Sequence, residues 1–118
     1  DEDWEPKQIT YDALKPKTLA PSPDTVIVDV REPAELLEGH IPTAHNLPLT
    51  HVLAGGFALD APAFEAQFGW AKPRKDQEVI IYCKKGKRSS IAADSAKKAG
   101  YTNIVEYRGS WLDWATRE

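Results

Sequence analysis

Val79-Ile80-Ile81-Tyr82, running without a break into Cys83-Lys84-Lys85-Gly86-Lys87-Arg88-Ser89-Ser90, is the stretch on which the fold turns. Its first four residues are β-branched or aromatic, the composition of a strand buried on both faces. The following residues hold a cysteine, a glycine and four cations, and Ser89 or Ser90 then opens a helix through Ala99 that stops at Gly100. A strand that passes through a tight turn straight into a helix is half of a βαβ unit.

The same alternation recurs on either side. Val26-Ile27-Val28-Asp29-Val30 reads as a second buried strand, Pro33 to Glu38 as a short helix stopped by Gly39, and His45 to Leu49 as a brief strand. Asp60 caps a helix over Ala61 to Phe68, where Phe64 and Phe68 share a face, and Gly69 ends it. Ile104 to Tyr107 forms the last strand. Ser110 then caps a terminal helix whose Trp111 and Trp114 serve as core packing. Trp70 and Phe57 read as the border of a pocket mouth. Strands alternating with helices predict an α/β domain, a central parallel sheet with helices on both faces. The first 24 residues are polar and broken by Pro6, Pro16, Pro21 and Pro23, so they read mostly as a surface segment with one capped turn over Thr10 to Leu14. The expected division is an N-terminal arm, residues 1–8, and a single domain, residues 9–118.

Composition bounds the function. At 118 residues, 42% of them hydrophobic, the chain suits one domain with its own core. No run approaches the roughly 18 apolar residues of a membrane span. One cysteine excludes an internal disulfide framework and any multi-thiolate metal site, and it suits a reducing compartment. His40, His45 and His51 have no partner at ligand spacing, so neither a metal nor a cofactor is expected. The net charge of −3 gives no general drive toward nucleic acid or anionic lipid. Cys83 to Ser90 nevertheless carries +4, leaving −7 on the remainder. The chain has no Met and begins Asp1-Glu2-Asp3, which reads as loss of a preceding segment, either an organelle transit peptide or an artificial boundary.

A parallel strand delivers Cys83 to its carboxyl edge, and the next helix opens with amides that have no internal partner. Gly86 lets the loop take positive φ and curl those amides, from about Lys84 to Ser89, around the sulfur. The helix terminus and the cations of Lys84, Lys85, Lys87 and Arg88 both favour a thiolate, lowering the cysteine pKa and offering an anion site beside it. A cysteine buried merely as a small hydrophobe needs neither the glycine turn nor four neighbouring cations.

These residues resemble the rhodanese-like sulfurtransferases, whose six-residue loop, often Cys-x-x-Gly-x-Arg followed by Ser, stands here as Cys83 to Arg88 followed by Ser89. Asp29-Val30-Arg31-Glu32 is similar to the family's Asp-x-Arg motif. Gly39-His40-Ile41-Pro42-Thr43-Ala44-His45-Asn46 is similar to its Gly-His-Ile-Pro-Gly-Ala-x-Asn, with Thr43 in place of glycine, a departure expected to alter only a turn. Gly100-Tyr101 and Gly109-Ser110-Trp111-x-x-Trp114 are similar to the family's close. The likeness to the small eukaryotic single-domain members extends to Phe64 to Pro73. The resemblance implies a thiosulfate sulfurtransferase in which Cys83 takes a sulfane sulfur as a persulfide and passes it to cyanide, a small thiol such as glutathione, or a protein thiol. It implies Lys84, Lys85, Gly86, Lys87, Arg88 and Ser89 as the substrate-binding set, with His40 as structural support. Asp29 and Arg31 read as an ion pair bracing the loop base, with Arg31 also in a position to reach the anion. The expected location is reducing, the mitochondrial matrix or the cytoplasm.

Two rival readings stand beside this one. A sulfur-relay or regulatory binding module would dock on a partner without turnover. A phosphatase or arsenate reductase of the same fold would use a Cys-x5-Arg loop, one residue longer than Cys83 to Arg88.

Overall fold

Burying both faces of the strongest apolar run sets the architecture. In the computed structural model, which describes residues 4–118, Glu78–Tyr82 (β4) is the central strand of a five-stranded parallel sheet. Across the sheet the order is Lys7–Gln8 (β1), Ile104–Glu106 (β5), β4, Thr25–Asp29 (β2) and His45–Asn46 (β3). β2 and β4 are in register from Thr25 beside Glu78 to Asp29 beside Tyr82, so both end at one carboxyl edge. Cys83 follows immediately.

Strand alternation divides the core between two faces. Val26, Val28, Val79 and Ile81 face Phe57, Phe64 and the small residues Ala92, Ala93 and Ala96 of Lys87–Lys98 (α4). Ile27, Ile80, Tyr82 and Val105 face Leu14 of Tyr11–Leu19 (α1) and Trp114 of Ser110–Arg117 (α5). The α/β sheet with helices on both faces is therefore as expected from the pattern of strands and helices.

Several elements depart locally from the sequence reading. The expected N-terminal surface segment holds a nine-residue helix, α1, capped by Thr10, whose hydroxyl accepts from the Ala13 amide. Pro16 forfeits one helical hydrogen bond there, but burial of Leu14 and the Tyr11–Trp114 ring contact, centroids 5.1 Å apart, outweigh that loss. Within the expected arm, residues 1–8, Lys7 and Gln8 pair with Val105 and Glu106 as an edge strand, and residues 1–3 lie outside the described residues. The strand expected through Leu49 ends at Asn46, because Pro48 offers no amide to the ladder; Leu49–Leu53 (α2) is helical instead. Pro33–Glu38 is a 3-10 helix, and Ala61–Phe68 (α3) has the expected bounds and the Asp60 cap. Phe57 and Trp70 each border a cleft, as expected, and neither cleft is at the cysteine: that of Phe57 is shared with Val52 and Ser95. Phe57 is core against Tyr101, while Trp70 stacks on His45 with centroids 4.6 Å apart and lines a cleft with Thr25 and Pro73.

Thr43, where the resembling motif carries glycine, has φ of 70°. A β-branched side chain in the left-handed region is strained. Thr43→Gly should therefore raise stability by roughly 0.5–1 kcal/mol after the entropy of the freer unfolded chain is subtracted. Thermal unfolding would show a midpoint a few degrees higher, and an unchanged or lower midpoint would mean the turn accommodates threonine without strain.

Candidate active site

β4 releases the chain at Cys83, and the loop turns back on itself within four residues. Gly86 has φ of 100° and caps α4, which starts at Lys87, two residues before the expected serine. The turn brings the Gly86 amide to 3.0 Å and the Ser89 amide to 3.4 Å from Cys83 Sγ, both donating to it. No other residue fits at position 86: a Cβ there would lie 2.5 Å from the Arg108 carbonyl oxygen. The start of α5 holds the other end of the loop. The Trp111 amide donates to the Cys83 carbonyl at 2.9 Å and the Leu112 amide to the Lys84 carbonyl at 3.2 Å.

Ser110 does not cap α5, as the sequence reading had it; Gly109 occupies the cap and no side chain closes it. The Ser110 hydroxyl turns inward, accepting from the Cys83 amide at 3.2 Å and donating to the Tyr107 carbonyl at 2.9 Å. It also lies 3.8 Å from Sγ. A hydroxyl has one proton, and the shorter bond to Tyr107 claims it, so the two backbone amides are the donors that serve the sulfur.

Cys83 is only 1% exposed. Burial opposes ionisation of the thiol, but the hydrogen bonds at the sulfur, led by the Ser89 amide and joined by that of Gly86, outweigh it and lower the pKa. This is the expected direction, reached by amide dipoles more than by the four cations. Arg88 makes a two-pronged pair with Glu35 at 2.5 and 2.9 Å, and Lys84 sits 3.4 Å from Glu38. Both carboxylates belong to the 3-10 helix. Lys85 and Lys87 are exposed, and among the described residues neither has an ion-pair partner.

Arg31 is fully buried. Its Nη2 donates to Asp29 Oδ2 at 2.7 Å and to the Gly39 carbonyl at 2.8 Å, and the Trp111 ring lies over its guanidinium at 5.1 Å. It braces the strand edge: Nε also donates to Asp29 at 3.1 Å, while Nη1 makes a long contact to the Glu35 carbonyl at 3.4 Å and lies 3.8 Å from Glu38. Tyr82 donates to Asp29 at 2.6 Å and accepts from the Ile41 amide at 3.1 Å, tying the strand edge to the following turn. His40 keeps Nδ1 3.1 Å from the Ile41 carbonyl oxygen, a contact within that turn. Ser89 sits at the sulfur as expected, and its hydroxyl bonds a buried carboxylate, Glu106, at 2.7 Å. Sequence reasoning missed Glu35, Glu38, Tyr82, Glu106 and the inward role of Ser110.

The family profile described as Rhodanese-like domain matches residues 13–117. A mitochondrial protein of Schizosaccharomyces pombe, provisionally named a thiosulfate sulfurtransferase, is 41% identical over 93 residues, which is 79% of this chain and 65% of that protein. A thiosulfate:glutathione sulfurtransferase of Saccharomyces cerevisiae is 45% identical over 95 residues, 80% of this chain and 67% of its own length. The crystal structure of the S. cerevisiae single-domain sulfurtransferase RDL2 superposes with a TM-score of 0.90 at 34% identity, covering 98% of this chain and 93% of that one. The chain thus spans about two thirds of the first of these relatives, 65% by alignment.

The Arg88 pair holds the Glu35 carboxyl at about 2, well below the ordinary range. A carboxyl depressed in the folded state stabilises the fold above its unfolded pKa and loses that contribution as pH falls through its folded one. Glu35→Gln should thus melt lower than the wild type at neutral pH, by about 1 kcal/mol or less because the pair is partly solvated. The gap should close as pH falls from 4.5 to about 2. A gap that is constant with pH would show that the pair adds no charge-dependent stability.

Proposed function

This chain belongs to the rhodanese-like domain family, and from that premise we propose that it is a thiosulfate sulfurtransferase acting through the Cys83 thiolate. The observation that carries the proposal is the convergence of the Gly86 and Ser89 amides on Sγ. The thiolate attacks the outer sulfur of thiosulfate, the sulfur–sulfur bond of the donor breaks, and sulfite leaves with the bonding pair. Cys83 is left as a persulfide whose terminal sulfur carries the negative charge. The loop amides are preorganised for a charge at this position, so little reorganisation accompanies the transfer. An acceptor thiolate then attacks the terminal sulfur and regenerates the Cys83 thiolate, a double-displacement sequence.

Relatives named thiosulfate:glutathione sulfurtransferases in yeast and human support glutathione as the acceptor. A protein thiol is the competing acceptor, and comparison of the two as sole acceptors separates them. Relatives named as mitochondrial support that location, in keeping with a lone cysteine in a reducing compartment. No helix among the described residues is long and apolar enough to cross a membrane.

Donor binding falls chiefly to Lys85 and Lys87 in this reading, since Lys84 and Arg88 already face carboxylates. The phosphatase alternative loses support from the same pair: an arginine held on both prongs by Glu35 is not free to fork a phosphoryl group.

Thiosulfate alone should add the mass of one sulfur atom to the intact protein, and Cys83→Ser should gain none. Absence of the added mass in the wild type would end the persulfide mechanism. In steady-state assays, Lys85→Ala and Lys87→Ala should each raise KM for thiosulfate several-fold and weaken its salt dependence, with Lys84→Ala doing less. Equal KM values throughout would mean that the amides alone bind the donor.

A further inference from the structure

We propose that Glu106 is a positioning residue whose buried carboxylate clamps the first turn of α4, keeping the Gly86 and Ser89 amides aimed at the Cys83 sulfur. The proposal rests on the reading of Cys83 as the reacting thiol. Glu106 is the last residue of β5, 0% exposed, beside the apolar Ile104 and Val105. A buried carboxylate costs several kcal/mol unless its lone pairs are taken up, and an aliphatic residue would serve the core better. Here every lone pair is used. Oε2 accepts from the Ser89 and Ser90 hydroxyls, both at 2.7 Å. Oε1 accepts from Gln8 Nε2 at 3.1 Å and from Arg108 Nη2 and Nε at 2.9 and 3.2 Å.

Ser89 is the link to the sulfur. Its hydroxyl is held by Glu106 and its amide donates to Sγ at 3.4 Å, the longer of the two amide bonds to the sulfur, so turning the first turn of α4 away would weaken that bond. Gly86 is held through Arg108 as well: its α-carbon packs against that residue, which Glu106 binds from the other side. One side chain therefore joins β1, β5 and α4 behind the loop.

The charged groups around this arrangement allow a test by sign. Arg108 faces Glu106, with the uncharged Gln8, Ser89 and Ser90 as its other partners, and Arg88 is the cation whose charge couples to Cys83. A negative charge does not favour a neighbouring thiolate, so deleting the charge of Glu106 alone would not make Cys83 harder to ionise. Losing the clamp would make it harder. A glutamine can present an acceptor to the serines or to Arg108 and Gln8, but not to both pairs.

The experiment is the pH dependence of Cys83 alkylation by iodoacetamide in the wild type, Glu106→Gln and the double variant Ser89→Ala/Ser90→Ala, with thermal melts to establish folding. The clamp predicts about tenfold less thiolate at neutral pH in Glu106→Gln, an upward midpoint shift of roughly one unit. With thiosulfate, kcat should fall while KM stays within about twofold, because Lys85 and Lys87 are untouched. A folded Glu106→Gln whose alkylation midpoint is unchanged or lower overturns the proposal. Should that variant not fold, the double serine variant decides, since it leaves the carboxylate on Arg108 and Gln8: an upward shift supports the clamp and an unchanged midpoint overturns it. Alkylation needs no sulfur donor. A wild type without thiosulfate turnover would thus defeat the proposed function while this arm still returned its answer.

Discussion

Ionising a sulfur that is 1% exposed costs several kcal/mol in lost hydration, and something fixed must replace the water. In this protein two backbone amides do so, at 3.0 and 3.4 Å. Dipoles serve only if they cannot swing away, and that requirement explains much of the surrounding structure. Gly86 takes a positive φ that places both amides on one side of the turn. α5 fastens the loop's beginning through the Trp111 and Leu112 amides, while Glu106 fastens its end through the serines of α4. The strands supply the remaining rigidity, since β2 and β4 end level and bring Asp29 and Tyr82 together beneath the loop.

Three carboxylates decide what the loop's positive charge can do. Asp29 spends itself on Arg31 inside the protein, where a buried ion pair fixes geometry more reliably than it adds net stability. Tyr82 joins that pair as a neutral phenol, because burial and the Asp29 charge push its pKa up, and its hydroxyl can therefore both donate to Asp29 and accept from Ile41. Glu35 and Glu38 stand over the loop and face Arg88 and Lys84. The local field is weaker than the +4 of the primary structure implies, and its unpaired part sits on the two flexible lysines at the rim. Steering of an anion toward the cysteine is thus separated from stabilisation of charge on the sulfur.

The fold was legible because the three inner strands, β2, β4 and β5, carry apolar runs and the main helices have a cap or a glycine stop, signals that depend on near neighbours alone. Asp60 and Gly69 bracket α3 in this way. Where tertiary contacts overrode local chemistry, the reading failed. Pro16 argued against α1, yet Leu14 is fully buried in the face that α5 also covers. At the site, the cysteine, the glycine turn and the cations are contiguous and so could be read together. Glu106 is 23 residues from Cys83 and Glu35 is 53 from Arg88, and nothing local marks a carboxylate as the partner of a group that only the sheet brings near. The Asp29–Arg31 pair is two residues apart and legible as a brace, whereas the Gly39 carbonyl that shares Nη2, and Glu35 and Glu38 facing Nη1, are brought to Arg31 only by the folded chain.

Ser110 shows the same constraint acting on the backbone. Its φ of 61° puts a side chain in the left-handed region, at a cost of roughly 1–2 kcal/mol that glycine would avoid. Glycine would also remove the hydroxyl that accepts from the Cys83 amide at 3.2 Å. That amide is buried at the end of β4, and leaving it unpaired would cost roughly 1–3 kcal/mol, at least as much as the strain relieved. The larger effect would fall on the sulfur. With its own amide unheld, Cys83 could rotate at the strand end, turning Sγ away from the Gly86 and Ser89 amides that receive its charge. Strain at Ser110 is therefore retained because it fixes the residue that carries the thiol, just as the positive φ at Gly86 fixes the amides that receive its charge.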